Sequence, residues 1–133
     1  MAANKILIVD DDPDVVEAMK LTLEASGYEV FEASNGKEGL EKVKEVNPDL
    51  LILDVMMDSD TEGFQVSYKL KTPEPEYAAY AKLPILMVTA IGKMKGMQFS
   101  PKKDEGFLPV DDFVEKPIQP RVLLEKVKTL IGN

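Results

Sequence analysis

The sequence predicts an α/β fold: a doubly wound five-stranded parallel sheet with helices on both faces. Two observations carry this. Short apolar runs alternate with segments of helical period along the chain, and the alternation repeats five times, which favours crossover connections and a parallel sheet. In addition, Asp10, Asp11, Asp54, Thr89 and Lys116 all follow or end an apolar run. In an open parallel sheet these are the carboxyl ends of strands, where ligands bind.

The elements follow in order. Ile6-Leu7-Ile8-Val9 is a short apolar run bounded by polar residues, the pattern of a buried strand. Asp12-Pro13 reads as a helix cap followed by a first helical position. Val16, Met19 and Leu23 recur at helical spacing before Gly27 ends that segment. Tyr28 to Ala33 is the second strand. Asn35 followed by Glu38 suggests a capping arrangement, and the next helix stops at Asn47-Pro48 because the residue before proline disfavours helix. Leu50 to Leu53 is the third strand, and Gly63 to Leu70 a short helix. Lys71 to Lys82 carries Pro73 and Pro75, which leaves only 76–81 open to helix. The fourth strand is Pro84 to Val88, ending in Thr89-Ala90, and the fifth is Phe113-Val114, ending in Glu115-Lys116-Pro117. Pro120 opens a last helix with Leu123, Val127 and Leu130 as its apolar stripe, closed by Gly132.

A fourth crossover helix belongs between Ile91 and Asp112, but Gly92, Gly96, Pro101, Gly106 and Pro109 make its helix propensity poor. It is expected to be degraded to a loop. Met94, Met97, Phe99 and Phe107 lie in that stretch, as local packing or as an adaptable binding surface.

Composition narrows the function. The 133 residues suit a single domain over 1–133 with a real core. A net charge of -8 argues against a phosphate-binding surface for nucleic acid. With no cysteine there are no disulfides or thiolate metal sites, and with no histidine there is no imidazole catalysis or His-ligated zinc. No apolar stretch reaches membrane-span length and no signal-peptide pattern opens the chain. A soluble cytoplasmic protein is expected.

The chemistry lies in Asp10, Asp11 and Asp54. Two carboxylates about 4 Å apart repel by roughly 4 kcal/mol at an effective dielectric near 20. A proton or a cation relieves this. With only oxygen ligands on offer, Mg²⁺ is the expected guest, and it keeps waters that phosphate oxygens can replace. Lys116 adds a cation and Thr89 a hydroxyl. Metal, lysine and hydroxyl around one carboxylate suit phosphoryl transfer, with Asp54 as nucleophile. Plainer readings exist for each residue: Asp12 as a helix cap, Asp10 and Asp11 as solvated loop acids, Thr89 as a β-branched strand residue, Lys116 as a surface cation.

Four motifs in this order, ILIVDDDPD, LLILDVMM, LMVTA and DDFVEKPI, resemble the response-regulator receiver domain of two-component signalling, of the stand-alone chemotaxis type. The resemblance covers nearly the whole chain. It implies a flavodoxin-like sheet of strand order 2-1-3-4-5. It implies that Asp54 accepts a phosphoryl group from a histidine kinase or phosphotransfer protein. It also implies Mg²⁺ held by Asp11, Asp54 and the Met56 backbone carbonyl, with Asp10 acting largely through water. Thr89 and Lys116 would each meet a phosphoryl oxygen, and Phe113 stands at the family's switch-aromatic position. With no output domain following, the chain is expected to act by binding an output protein, as a signalling module rather than an enzyme.

The sequence departs from the family pattern at Asp58, where proline is usual after the second methionine. The acidic stretch Asp58-Ser59-Asp60-Thr61-Glu62 is one residue longer than usual. Met56 and Ile91, at positions the family associates with the rate of phosphoryl hydrolysis, are both apolar. Two other readings stay open. One is an interaction domain that works without phosphorylation. The other is a haloacid-dehalogenase-type phosphatase, whose nucleophile would be Asp10 in the Asp10-x-Asp12 spacing.

Overall fold

A computed structural model describes residues 4–54, 80, 83–90, 99–100, 108–109, 111–116 and 118–132. Its elements are β1 (Lys5–Val9), α1 (Pro13–Ala25), β2 (Glu29–Ala33), α2 (Gly36–Val46), β3 (Leu50–Asp54), β4 (Ile85–Ala90), β5 (Phe99–Ser100), β6 (Leu108–Pro109), β7 (Asp112–Lys116) and α3 (Pro120–Ile131). Five strands form one sheet in the order β2-β1-β3-β4-β7, with every neighbouring pair parallel. This is the expected 2-1-3-4-5 order, with β7 in fifth place.

The sheet is buried on both sides, as parallel sheets are. Side chains alternate across it and divide the core in two. Leu7, Val9, Leu51, Leu53, Ile85 and Met87 face Val43 of α2. Ile6, Ile8, Leu50, Ile52, Leu86, Val88 and Val114 face Val16, Met19 and Leu23 of α1, with Leu123 and Val127 of α3. Every residue of β3 is buried, so Asp54 is carried to its place by a strand with no exposed position.

Local chemistry sets the helix ends. Asp12 caps α1 with Pro13 behind it, as expected. After α1, Gly27 takes a φ of 94°. The Tyr28 N–H then bonds the Leu23 carbonyl at 3.2 Å and the Gly27 N–H bonds the Glu24 carbonyl at 3.0 Å, a Schellman turn. Asn35 caps α2 by accepting from the Glu38 N–H at 2.8 Å. The Glu38 carboxylate takes the Ser34 hydroxyl at 3.2 Å. Asn47 stops α2 in the left-handed region, φ 53°, so the helix ends by an asparagine cap as well as by the following proline.

Two aspartates align strand starts in the same way. Asp49, just before β3, accepts the Lys5 N–H at 2.7 Å and donates its own N–H to the Lys5 carbonyl at 2.7 Å. Asp111, just before β7, does the same with Ile85 at 2.8 and 3.0 Å. The start of β7 is further tied to α3 by Lys126 on Asp112 at 3.0 Å. These contacts account for β7 beginning at Asp112, one residue before the Phe113-Val114 run read from the sequence.

Three helices occur among the described residues; the stretch expected to hold the degraded fourth lies largely outside them. Within 91–112 the structure places β5 and β6, a short parallel pair; 91–98, 101–107 and 110 lie outside the described residues. So do the helix expected at Gly63 to Leu70, all of 76–81 except Tyr80, and the loop Asp58 to Glu62.

α2 lies close on the sheet at Gly39. A Cβ there would stand 2.8 Å from Val9 Cγ2, and Val9 is fully buried and stiff. Gly39→Val is expected to lower unfolding stability by about 2 kcal/mol, overpacking outweighing the small gain in helix propensity. Urea denaturation checks this; a variant as stable as the wild type would show that α2 can retreat freely.

Candidate functional site

The site forms where β1 and β3 end side by side. The two strands pair in register from Ile6↔Leu50 to Val9↔Leu53. The residues that follow Val9 and Leu53, Asp10 and Asp54, therefore emerge at the same edge. Both are buried, at 2% and 1% exposure, and Asp11 is exposed. Carboxylate oxygens of Asp10, Asp11 and Asp54 lie within 4.8 Å of one another. At that distance the buried pair Asp10 and Asp54 repels by roughly 3–4 kcal/mol at an effective dielectric near 20. Burial removes the water that would otherwise screen it, so a cation is the natural counterweight.

The donor set fits Mg²⁺. It is all oxygen, and the chain has no thiol or imidazole to divert a softer metal. Three carboxylates within 4.8 Å of one another suit a small divalent ion with oxygen ligands.

Asp10 is held at both ends. Its N–H bonds the Ala33 carbonyl at 3.1 Å, and its Oδ1 accepts the Asp12 N–H at 2.9 Å. Asp12 itself points elsewhere. Its Oδ1 accepts from the Asp14 N–H at 3.0 Å, so it serves as the helix cap.

The other expected site residues are placed by the backbone. Asp54 pairs with Val88, which puts Thr89 one step beyond, at the same sheet edge. Ala90 pairs with Lys116, so Lys116 ends β7 at that edge as well. Phe113 lies earlier in β7, half-buried and packed against the α2-side core. Met56 lies outside the described residues. Sequence reasoning missed the surroundings of Asp10 and Asp11. A cavity of about 460 Å³ is lined by both, with Glu17, Glu32, Ser34 and Glu38. The Asn35–Glu38 capping signal marked that loop as helix start but gave no sign that it borders the site.

The comparisons with known proteins agree with this geometry. A family model described as the response regulator receiver domain matches residues 6–128. The chain is 36% identical to the alkaline phosphatase synthesis transcriptional regulatory protein PhoP of Bacillus subtilis, over 96% of this chain and 48% of that protein. It is 34% identical to the DNA-binding dual master transcriptional regulator RpaA of Synechocystis, with the same coverage. The chain thus spans about half the length of these curated relatives. Among solved structures, response regulator protein TrrA from Thermotoga maritima, in complex with Mg(2+)-BeF, is 31% identical. It superposes with a TM-score of 0.76 over 96% of this chain and 98% of that one. A CheY-like receiver domain protein from Methanospirillum hungatei gives 0.77 at 29% identity, over 98% and 94%.

Proposed function

This chain belongs to the response regulator receiver domain family, and we propose that within it Asp54 takes up a phosphoryl group, with Mg²⁺, from a histidine kinase or phosphotransfer protein. The observation that carries the proposal is the meeting of Asp10, Asp11 and Asp54 within 4.8 Å at the carboxyl edge of the sheet. Receiver domains are signalling modules of two-component systems, so output would come through a binding partner.

The carboxylate oxygen of Asp54 attacks the donor phosphorus and the bond from phosphorus to the donor breaks, leaving an acyl phosphate on Asp54. Asp11, Asp54 and the Met56 carbonyl, with Asp10 acting through water, would hold Mg²⁺, which when bound would supply charge neutralisation for the transferring group. Thr89 donates a hydrogen bond to one phosphoryl oxygen and Lys116 pairs with another. The new group adds a charge of about -1.5 to -2. The contacts of Thr89 and Lys116 with that charge favour a minor conformation, with Phe113 as the switch aromatic. The Thermotoga relative, solved in complex with Mg(2+)-BeF, supports this reading of the acidic cluster.

The engagement of Asp12 as a helix cap counts against the phosphatase alternative, which needs that position for chemistry. We further propose that the chain forms one domain over residues 1–133 and works in the cytoplasm. No helix among the described residues is long and apolar enough to cross a membrane.

The test is incubation with a small phosphoryl donor and Mg²⁺, followed by mapping of the modified residue. Uptake on Asp54 supports the proposal; uptake on Asp10 would mark a phosphatase, and none at all would favour an interaction domain. The acyl phosphate is also expected to outlast many seconds at neutral pH, because the apolar side chains of Met56 and Ile91 carry no nitrogen or oxygen to orient an attacking water. Decay within seconds, followed by phosphate release, would contradict this.

A further inference from the structure

We propose that Asp12 is a positioning residue of the metal site: its side chain caps α1, and the cap holds its backbone N–H against Asp10. The inference rests on reading Asp10, Asp11 and Asp54 as a Mg²⁺ site, and it assigns a role to a residue outside that cluster.

The connection runs through two hydrogen bonds in series. Asp12 Oδ1 accepts from the Asp14 N–H at 3.0 Å, which fixes Asp12 in the extended conformation of an N-cap, φ -97° and ψ 106°. In that conformation its own N–H reaches Asp10 Oδ1 at 2.9 Å. Its carbonyl meanwhile receives the first helical N–H, from Val16, at 3.1 Å. One oxygen of the buried Asp10 is thereby committed, and the rotation of its carboxylate is set by where α1 begins. The Asp12 carboxylate is exposed and lies outside the group of acids that share the site. It governs the site through backbone geometry. Hydrogen-bond partners that orient the acids of a metal site typically change metal affinity when removed.

Asp12 could instead act by its negative charge alone, and two substitutions separate these roles. Asp12→Asn keeps a capping oxygen and loses the charge, so it isolates the charge; Asp12→Ala removes both. Calorimetric Mg²⁺ titration of the full chain is the readout, with no phosphoryl donor present. Asp12→Ala is expected to weaken Mg²⁺ binding roughly three- to tenfold, and Asp12→Asn to stay within about twofold of wild type. Equal weakening in both variants would reduce Asp12 to a charge effect and overturn the proposal. Wild-type affinity in Asp12→Ala would overturn it too. A wild type with no saturable Mg²⁺ uptake would instead bring down the reading of the site itself, which the wild-type titration alone reveals. The cap is exposed and the helix keeps its buried face of Val16, Met19 and Leu23, so both variants are expected to fold, as circular dichroism would verify.

Discussion

Asp54→Asn is expected to abolish acyl-phosphate formation. The amide has the shape of the carboxylate, so the buried end of β3 should pack as before, with Leu53 and Ile52 undisturbed. The nucleophilic oxygen is gone, however, and neither neighbouring aspartate is expected to replace it. Asp10 has one oxygen committed to the Asp12 N–H, and the Asp11 side chain of the same cluster is exposed to water. Removing a nucleophile from a built site costs on the order of a millionfold, which places the variant below detection. Intact mass after incubation with a small phosphoryl donor and Mg²⁺ reads the outcome. A variant that still gains a phosphoryl group would move the acceptor away from Asp54.

The second large effect is expected from withdrawing Mg²⁺. With a chelator present, phosphoryl uptake by the wild type should fall by at least about a hundredfold. The reason is electrostatic. An incoming phosphoryl donor is anionic and must approach a pocket that already holds two buried carboxylates and an exposed one within 4.8 Å. In the proposed role of Lys116, one lysine charge is too little to balance three aspartates and the donor together. The divalent ion makes up the difference. Uptake at an undiminished rate in chelator would mean that the protein neutralises the site by itself, and the metal reading would fail.

Much of this was readable from residues. The order of apolar runs and helical segments specified the parallel sheet, because each run was short, apolar and bounded by turn residues. Asp12-Pro13, Asn35 and Gly132 marked helix ends that the structure reproduces. The convergence of Asp10, Asp11 and Asp54 followed from their places after strands that pair side by side. The start of β7 at Asp112 was not legible. It depends on Asp111 closing a ring with Ile85 and on Lys126 reaching Asp112, contacts between residues 26 and 14 positions apart. No local pattern encodes pairings of that range. The same limit hid the border of the acidic cavity at Ser34 and Glu38, which reach the site only because β2 lies beside β1. Asp12 was legible as a cap and no more, since its hold on Asp10 depends on backbone geometry.

The central claim is that three aspartyl side chains, brought together by two strands, create a seat for a divalent ion. Thermal unfolding of the wild type and of an Asp10→Asn, Asp11→Asn double variant over rising Mg²⁺ tests it most directly. A folded-state ligand at ten times its dissociation constant adds about 1.4 kcal/mol of stability, or about 3–5 °C for a chain of this size. The account predicts that saturable rise in the wild type and its loss in the double variant. Superimposable melting curves for the wild type with and without Mg²⁺, into the tens of millimolar range, would contradict it.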